Sequence, residues 1–279
     1  MSEDKPATTS KTKKADKVLG VGLDIGTMNI VSARKGAKGI ETRRIRDAFL
    51  DLPPESKKML KLSGVSYVER DDELIIIGDP ALETANIFGR EARRPLSAGL
   101  ISAGEMDALD VLGLLIKNVL GEPSVPDEAC YFSVPAAPID QPDKDVIYHQ
   151  GVFERIVGEC GFTPYASNEA MAIIYAECAK EGFSGIALSF GSGMTNIALA
   201  VNTIEGLSFS VARGGDWIDG GAARSVGSTH FTDGAKSGFT VISKMEDGLP
   251  SQPNCLSIRF LILYVPGWVM RIEVSSKLF

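Results

Sequence analysis

Two glycine turns, each set between apolar strands, constrain this chain more than anything else in its sequence. The first is Val21-Gly22-Leu23-Asp24-Ile25-Gly26-Thr27-Met28-Asn29-Ile30-Val31. The second is Ile186-Ala187-Leu188-Ser189-Phe190-Gly191-Ser192-Gly193-Met194-Thr195-Asn196-Ile197-Ala198. An apolar strand, a tight Gly/Ser/Thr turn and a second apolar strand make a β-hairpin. Such turns present backbone N–H groups without a strand partner, and nests of this kind attract anions. Two of them facing each other across a cleft would hold the phosphates of a nucleotide.

A chain of 279 residues has room for one large domain or two smaller ones. With 44% hydrophobic and 23% charged residues, most of it is expected to be globular. The net charge of -7 argues against a general nucleic-acid binder, which needs a basic face, but not against a nucleotide site built from glycines and dipoles. Cys130, Cys160, Cys178 and Cys255 are scattered without a CxxC pair, and there are two histidines. Neither a zinc site nor a disulfide framework is therefore expected, and a reducing cytoplasm is the expected compartment. The N-terminus lacks the apolar core of a signal peptide. The run from Phe260 to Met270 is too short to span a bilayer and contains Pro266 and Gly267.

Residues 1–17 are rich in Lys, Asp, Ser and Thr with no apolar period, and read as a disordered tail. Residues 41–62 are dense in charge and broken by Pro53-Pro54, which predicts an exposed loop or short helix. Leu74 to Pro80 reads as a strand ending in a turn. Glu105 to Leu120 has helical spacing, with Met106, Leu109, Leu112, Leu115, Ile116 and Val119 on one face. Tyr131 to Pro135 reads as a buried strand running into a proline stop. Asp145 to Cys160 is again helical, with Gly161 as its C-cap. Asn168 to Lys180 reads as a further helix, capped by Asn168 or Ser167 and carrying Glu169 in its first turn. This order predicts an α/β chain with a mixed sheet. From about His230 to Asn254, Gly, Ser, Thr and Lys dominate, and a short apolar burst follows. Two readings of that stretch stand side by side: an irregular terminal extension, or a natural continuation lost by truncation or a frame change.

Five segments, in order, carry a resemblance. Leu23-Asp24-Ile25-Gly26-Thr27-Met28-Asn29 resembles the first phosphate motif of the actin-like ATPase superfamily, and Leu188 to Thr195 resembles its second. Arg213-Gly214-Gly215-Asp216 is similar to the Gly-Gly-acidic segment that follows, and Tyr131 to Ala137 to a Val-Pro-Ala strand end of that family. Arg94-Pro95-Leu96-Ser97-Ala98-Gly99-Leu100-Ile101 is similar to a run found in its bacterial filament branch, the MreB/MamK type. The resemblance implies a ribonuclease-H-like, actin-type ATPase fold, a mixed sheet flanked by helices, with an incomplete second domain. On that basis 18–165 is the first domain, with an inserted subdomain at about 35–100. Residues 166–229 begin the second domain, and 230–279 form a divergent or irregular tail. No segment after Thr229 resembles the family's late adenosine motif.

The implied ligands are ATP and Mg²⁺. Asp24 would help hold the water shell of the metal, since Mg²⁺ keeps several waters and takes few carboxylates. Read without the family, it is a turn aspartate satisfied by nearby N–H groups. Gly26, Thr27, Met28 and Asn29 would contribute turn N–H groups, with the Thr27 hydroxyl as a further donor; Gly191, Ser192, Gly193, Met194 and Thr195 would do the same from the other side. An ordinary pair of hairpin turns is the bland alternative. Gly214, Gly215 and Asp216 would approach the sugar or phosphates closely, or simply form a strand-to-helix turn. Glu169 would be the catalytic residue that orients or deprotonates the attacking water; equally, it is a first-turn glutamate favoured by the helix dipole. Ser189 departs from the family, which has aspartate there. A serine supplies a hydrogen bond but no charge, so slow hydrolysis is expected, and an aspartate restored at 189 is expected to raise turnover.

The resemblance thus implies an ATP-binding, cytoskeletal-type protein with reduced ATPase activity that self-associates into filaments. A non-hydrolysing scaffold on the same fold is the alternative, and a small-molecule kinase a more distant one, since no substrate base stands out. A membrane contact through Leu256 to Val274, with Trp268 and Arg259 at an interface, is opposed by Pro266 and Gly267.

Overall fold

The computed structural model describes residues 20–102, 104–105, 107–225, 259–264 and 269–271. The expected tail at 1–17, most of 230–279, and Met106 of the expected helical face lie outside the described residues. In chain order the strands are β1 (Val21–Ile25), β2 (Asn29–Gly36), β3 (Gly39–Arg46), β4 (Phe49–Leu52), β5 (Val68–Arg70), β6 (Glu73–Ile77), β7 (Leu96–Ser97) and β8 (Leu100–Ile101). They continue with β9 (Ala129–Val134), β10 (Thr163–Asn168), β11 (Gly185–Phe190), β12 (Thr195–Val201), β13 (Ile204–Val211), β14 (Arg259–Tyr264) and β15 (Val269–Arg271). The helices are α1 (Lys57–Ser63), α2 (Asp79–Phe88), α3 (Ala108–Leu120), α4 (Val146–Glu159), α5 (Glu169–Glu177) and α6 (Gly215–Ser225).

Two five-stranded sheets organise the molecule, in the orders β10-β9-β1-β2-β3 and β13-β12-β11-β14-β15. The first is mixed: β1, β2 and β3 form an antiparallel meander, while β9 and β10 join parallel to β1. In β1 the residues alternate. Val21, Leu23 and Ile25 are buried, and Gly22 and Asp24 lie on the opposite face. The buried set packs with Leu112, Leu115 and Ile116 of α3 and Val152, Phe153 and Ile156 of α4, so two amphipathic helices cover one side of the sheet.

The second sheet repeats the meander with β11, β12 and β13. Its fourth strand, β14, joins antiparallel to β11, unlike the parallel β9 of the first sheet. Helix α5 packs Ala170, Met171 and Ile174 against Ala187, Ala198 and Ala200, small side chains that let helix and sheet approach closely. A separate small core of Leu50, Leu52, Leu60, Leu74, Ile76, Ala81 and Ala85 lies within the segment inserted after β3.

The stretch at 41–62 differs in part from the expected exposed loop or short helix: 41–46 lie in β3, paired with β2, and 49–52 form the largely buried β4, while the short helix α1 follows from Lys57. Glu41, Arg43 and Arg44 are exposed along this outer strand, while Arg46 at its end is half-buried. Helix α2 and strands β10 and β13 are likewise additions to the sequence reading. The segment leaving β9 ties the two sheets together. Ser210 of β13 donates its N–H to the Ala137 carbonyl at 3.0 Å, and Ile139 N–H donates to the Ser210 carbonyl at 2.9 Å.

Candidate functional site

The two glycine turns are built alike. Gly26 N–H donates to the Asn29 carbonyl at 3.1 Å, and Gly191 N–H donates to the Met194 carbonyl at 2.9 Å. Each turn closes on the last strand pair of its hairpin, Ile25 with Ile30 and Phe190 with Thr195. The first glycine of each turn therefore spends its amide inside the turn. The tip amides of Thr27, Met28, Ser192 and Gly193 make no hydrogen bond among the described residues, which is the condition for a backbone anion site.

The tips meet. A Cβ on Gly193 would collide with Thr27 Oγ1 and the Gly99 N–H, and would stand 2.9 Å from the Ala98 carbonyl carbon. Gly99 N–H donates to Thr27 Oγ1 at 3.1 Å. Here the Thr27 hydroxyl acts as an acceptor, where the sequence suggested a donor. The Ala98-Gly99 pair turns between β7 and β8 with φ of +50° and +79°, so the Arg94–Ile101 segment reaches the junction as a tight two-residue hairpin. Met194, buried, packs on Gly99.

Around the first turn, Asp24 accepts a hydrogen bond from Ser133 Oγ at 3.0 Å, and Ser133 Oγ accepts the Ile25 N–H at 2.9 Å. The Met28 carbonyl accepts the Asp47 N–H, and Asn29 pairs with Arg46 at the end of β3. Around the second, Thr195 donates its hydroxyl to the Arg213 carbonyl at 2.9 Å. The Ser192 hydroxyl is buried without a partner among the described residues.

The Gly-Gly-acidic segment is placed against the second turn. Gly215 N–H donates to the Gly191 carbonyl at 3.0 Å and Asp216 N–H to the Ser192 carbonyl at 2.9 Å. A side chain at Gly214 would strike both of those carbonyls. The start of α6 is thus docked on turn backbone. Asp216 also forms a 3.0 Å ion pair with Arg94, which links α6 to the β7–β8 segment. One turn along, burial and then the Asp216 charge push the Asp219 carboxyl above the ordinary aspartate range.

Glu169 opens α5, whose N-cap Asn168 accepts the N–H groups of Ala170 and Met171 at 2.9 and 3.1 Å. The two strands of the second hairpin hold its carboxylate. Ser189 Oγ donates to Oε1, and Asn196 Nδ2 donates to Oε2 at 2.9 Å. Ser189 and Asn196 are register partners across β11 and β12, and they are 3% and 0% exposed. Asn196 Oδ1 accepts the Ala136 N–H at 3.0 Å, and the Ala136 carbonyl accepts Ser210 Oγ at 2.8 Å. Sequence reasoning missed Ser133, Asn196 and Ser210 as members of this site. Only their places in strands next to the motifs could have drawn attention to them.

Among the described residues no three His, Cys, Asp or Glu side chains gather as a metal site. Burial pushes the Cys130 thiol up to about 12 and raises Cys160 and Cys178, so these thiols are poor nucleophiles. No helix of the described residues is long and apolar enough to cross a membrane.

No curated protein sequence matches this chain. Solved structures do. MreB5 of Spiroplasma citri bound to AMPPNP superposes with a TM-score of 0.53 at 17% identity, covering 74% of this chain and 56% of that one. The same protein bound to ADP gives 0.51 at 18% identity, covering 74% and 55%. MamK in a double helical filament gives 0.57 at 16% identity, covering 90% and 71%. These likenesses establish a bacterial-actin fold, and the chain spans little more than half the length of MreB5. A model of one family, Volactin, matches residues 19–250, which hold both turns, the hairpin beside them and the helix docked behind them, and this chain belongs to the Volactin family.

Proposed function

We propose that this chain is an actin-like protein that binds ATP against the junction where its two glycine turns meet and hydrolyses it slowly or not at all. The observation that supports this most is the meeting of the two tips at Thr27 and Gly193, with four tip amides left without hydrogen bonds among the described residues. In this reading Thr27 and Met28 on one side, and Ser192 and Gly193 on the other, cradle the phosphates through backbone N–H groups, while Asn29, Met194 and Thr195 complete the two turns. Gly26 and Gly191 shape the turns rather than donate. Gly214, Gly215 and Asp216 brace the second turn from behind. The nucleotides bound to the MreB5 structures favour the same ligand class.

The residues present fit a Mg²⁺ ion held mainly by water and phosphate oxygens. Asp24, oriented by Ser133, is the one carboxylate beside the first turn to which the reading assigns its water shell. The metal would neutralise phosphate charge. Glu169 would orient a water toward the terminal phosphate, without a second acidic residue at 189 to help it. The reading also takes 18–165 and 166–229 as two domains, each carrying one turn, and places the protein in the cytoplasm.

Titration calorimetry of the full chain with Mg-ATP tests this. Wild type is expected to bind, and Asp24→Asn and Gly193→Val to bind at least about tenfold more weakly. Equal affinity in all three, or no binding by wild type, would overturn the assignment. A phosphate-release assay separates slow turnover from a purely scaffolding role.

A further inference from the structure

Both oxygens of the Glu169 carboxylate are taken by neutral donors that face each other across one hairpin, Ser189 on β11 and Asn196 on β12. We propose that these two are positioning residues, and that Ser189 must be neutral for Glu169 to stand charged in the cleft. The inference rests on the role given to Glu169 above, and it reverses the expectation that an aspartate at 189 would raise turnover.

The physical argument is one of charge and burial. Ser189 and Asn196 are almost wholly buried, so the contacts they make are poorly screened by water. Each donates a hydrogen, and an ionised carboxylate accepts both. An aspartate at 189 would set a second carboxylate at hydrogen-bond distance from the first. Two carboxylates that close cannot both ionise without a bound cation or a shared proton. Asn196 is fixed in turn. Its side-chain oxygen accepts the Ala136 N–H, so its amide nitrogen points to Glu169, and the Ala136 carbonyl accepts Ser210. The chain of bonds runs from the strand leaving the first sheet, through two strands of the second, to the first residue of α5. Glu169 is therefore positioned by both sheets at once.

A charge-reversal pair of variants tests the proposal in the full chain, by thermal unfolding across pH and by phosphate release with Mg-ATP. Ser189→Asp is expected to unfold roughly 5 °C below wild type at pH 7.5, with the gap closing toward pH 5 as the pair takes up a proton. The double variant Ser189→Asp with Glu169→Gln leaves a single acid facing an amide, and is expected to recover most of that loss at pH 7.5. Phosphate release by Ser189→Asp in Mg-ATP is expected not to exceed that of wild type, because even where the cation offsets the added charge the hydroxyl donor that positions Glu169 is lost. A Ser189→Asp protein as stable as wild type at pH 7.5, a double variant no more stable than the single, or faster phosphate release by Ser189→Asp would overturn the proposal. The unfolding arm needs no nucleotide, so a failure of wild type to bind Mg-ATP would overturn the functional reading and leave this test intact.

Discussion

Gly193 shows how closely the two turns touch. Its Cα sits among Thr27 Oγ1, the Ala98 carbonyl carbon and the Gly99 amide, so even a methyl group forces the two turns apart. Gly193→Ala is expected to cost about 1–3 kcal/mol of stability by overpacking, measured by denaturant unfolding. Gly104→Ala, where a Cβ meets nothing within 4 Å, serves as a control that should change little. His149 carries a different kind of prediction. It is 1% exposed, accepts the Ile101 N–H at Nδ1, and packs edge-on against Phe153. Burial holds its pKa down at about 4, against 6.5 for a free imidazole. The unfolded chain therefore binds a proton that the folded chain refuses as pH falls through the window from 6.5 to about 4. Stability contributed by the neutral ring is complete above that window, and roughly 3 kcal/mol is lost across it. His149→Gln, which keeps an acceptor for Ile101, is expected to flatten that part of the pH–stability curve; an unchanged slope would assign the pH dependence to other groups.

At the scale of elements, what was legible followed from short-range chemistry. Both hairpins showed through alternating apolar strands and glycine tips, and α3, α4 and α5 through apolar spacing and caps. Asn168 is the clearest case, accepting two first-turn amides as its residue type allows. Asn168→Ala is expected to cost about 1 kcal/mol and to loosen the first turn that carries Glu169, seen as faster amide exchange at Ala170 and Met171. What was not legible depended on partners distant in sequence. β3 reads as a charged loop until β2 lies beside it. β10, with half-buried and exposed positions and Pro164, becomes a strand only through its parallel register with β9. The triad of Glu169, Ser189 and Asn196 brings together residues 20 and 27 positions apart. A resemblance points to Glu169 and a departure from it to Ser189, but only the fold brings the two into contact.

The whole molecule repeats one device twice. An antiparallel meander carries a glycine turn at the first bend in each sheet, and α5 and the segment leaving β9 bring the two bends together. The fold is that of MreB and MamK, while the second sheet takes an antiparallel β14 where the first has a parallel β9. The outward face of the second sheet shows Phe190, Leu199, Val201 and Leu207 to solvent. MamK forms a double helical filament, and light scattering at rising protein concentration in Mg-ATP tests whether this chain polymerises too. The central claim is narrower: two turns, one polyphosphate. Hydrogen exchange followed by mass spectrometry, with and without Mg-ATP, reads it directly. Peptides spanning Gly26–Asn29 and Gly191–Thr195 are predicted to gain protection together, at the same half-saturating nucleotide concentration. Protection of one turn alone, or of neither while nucleotide binds elsewhere, would contradict it.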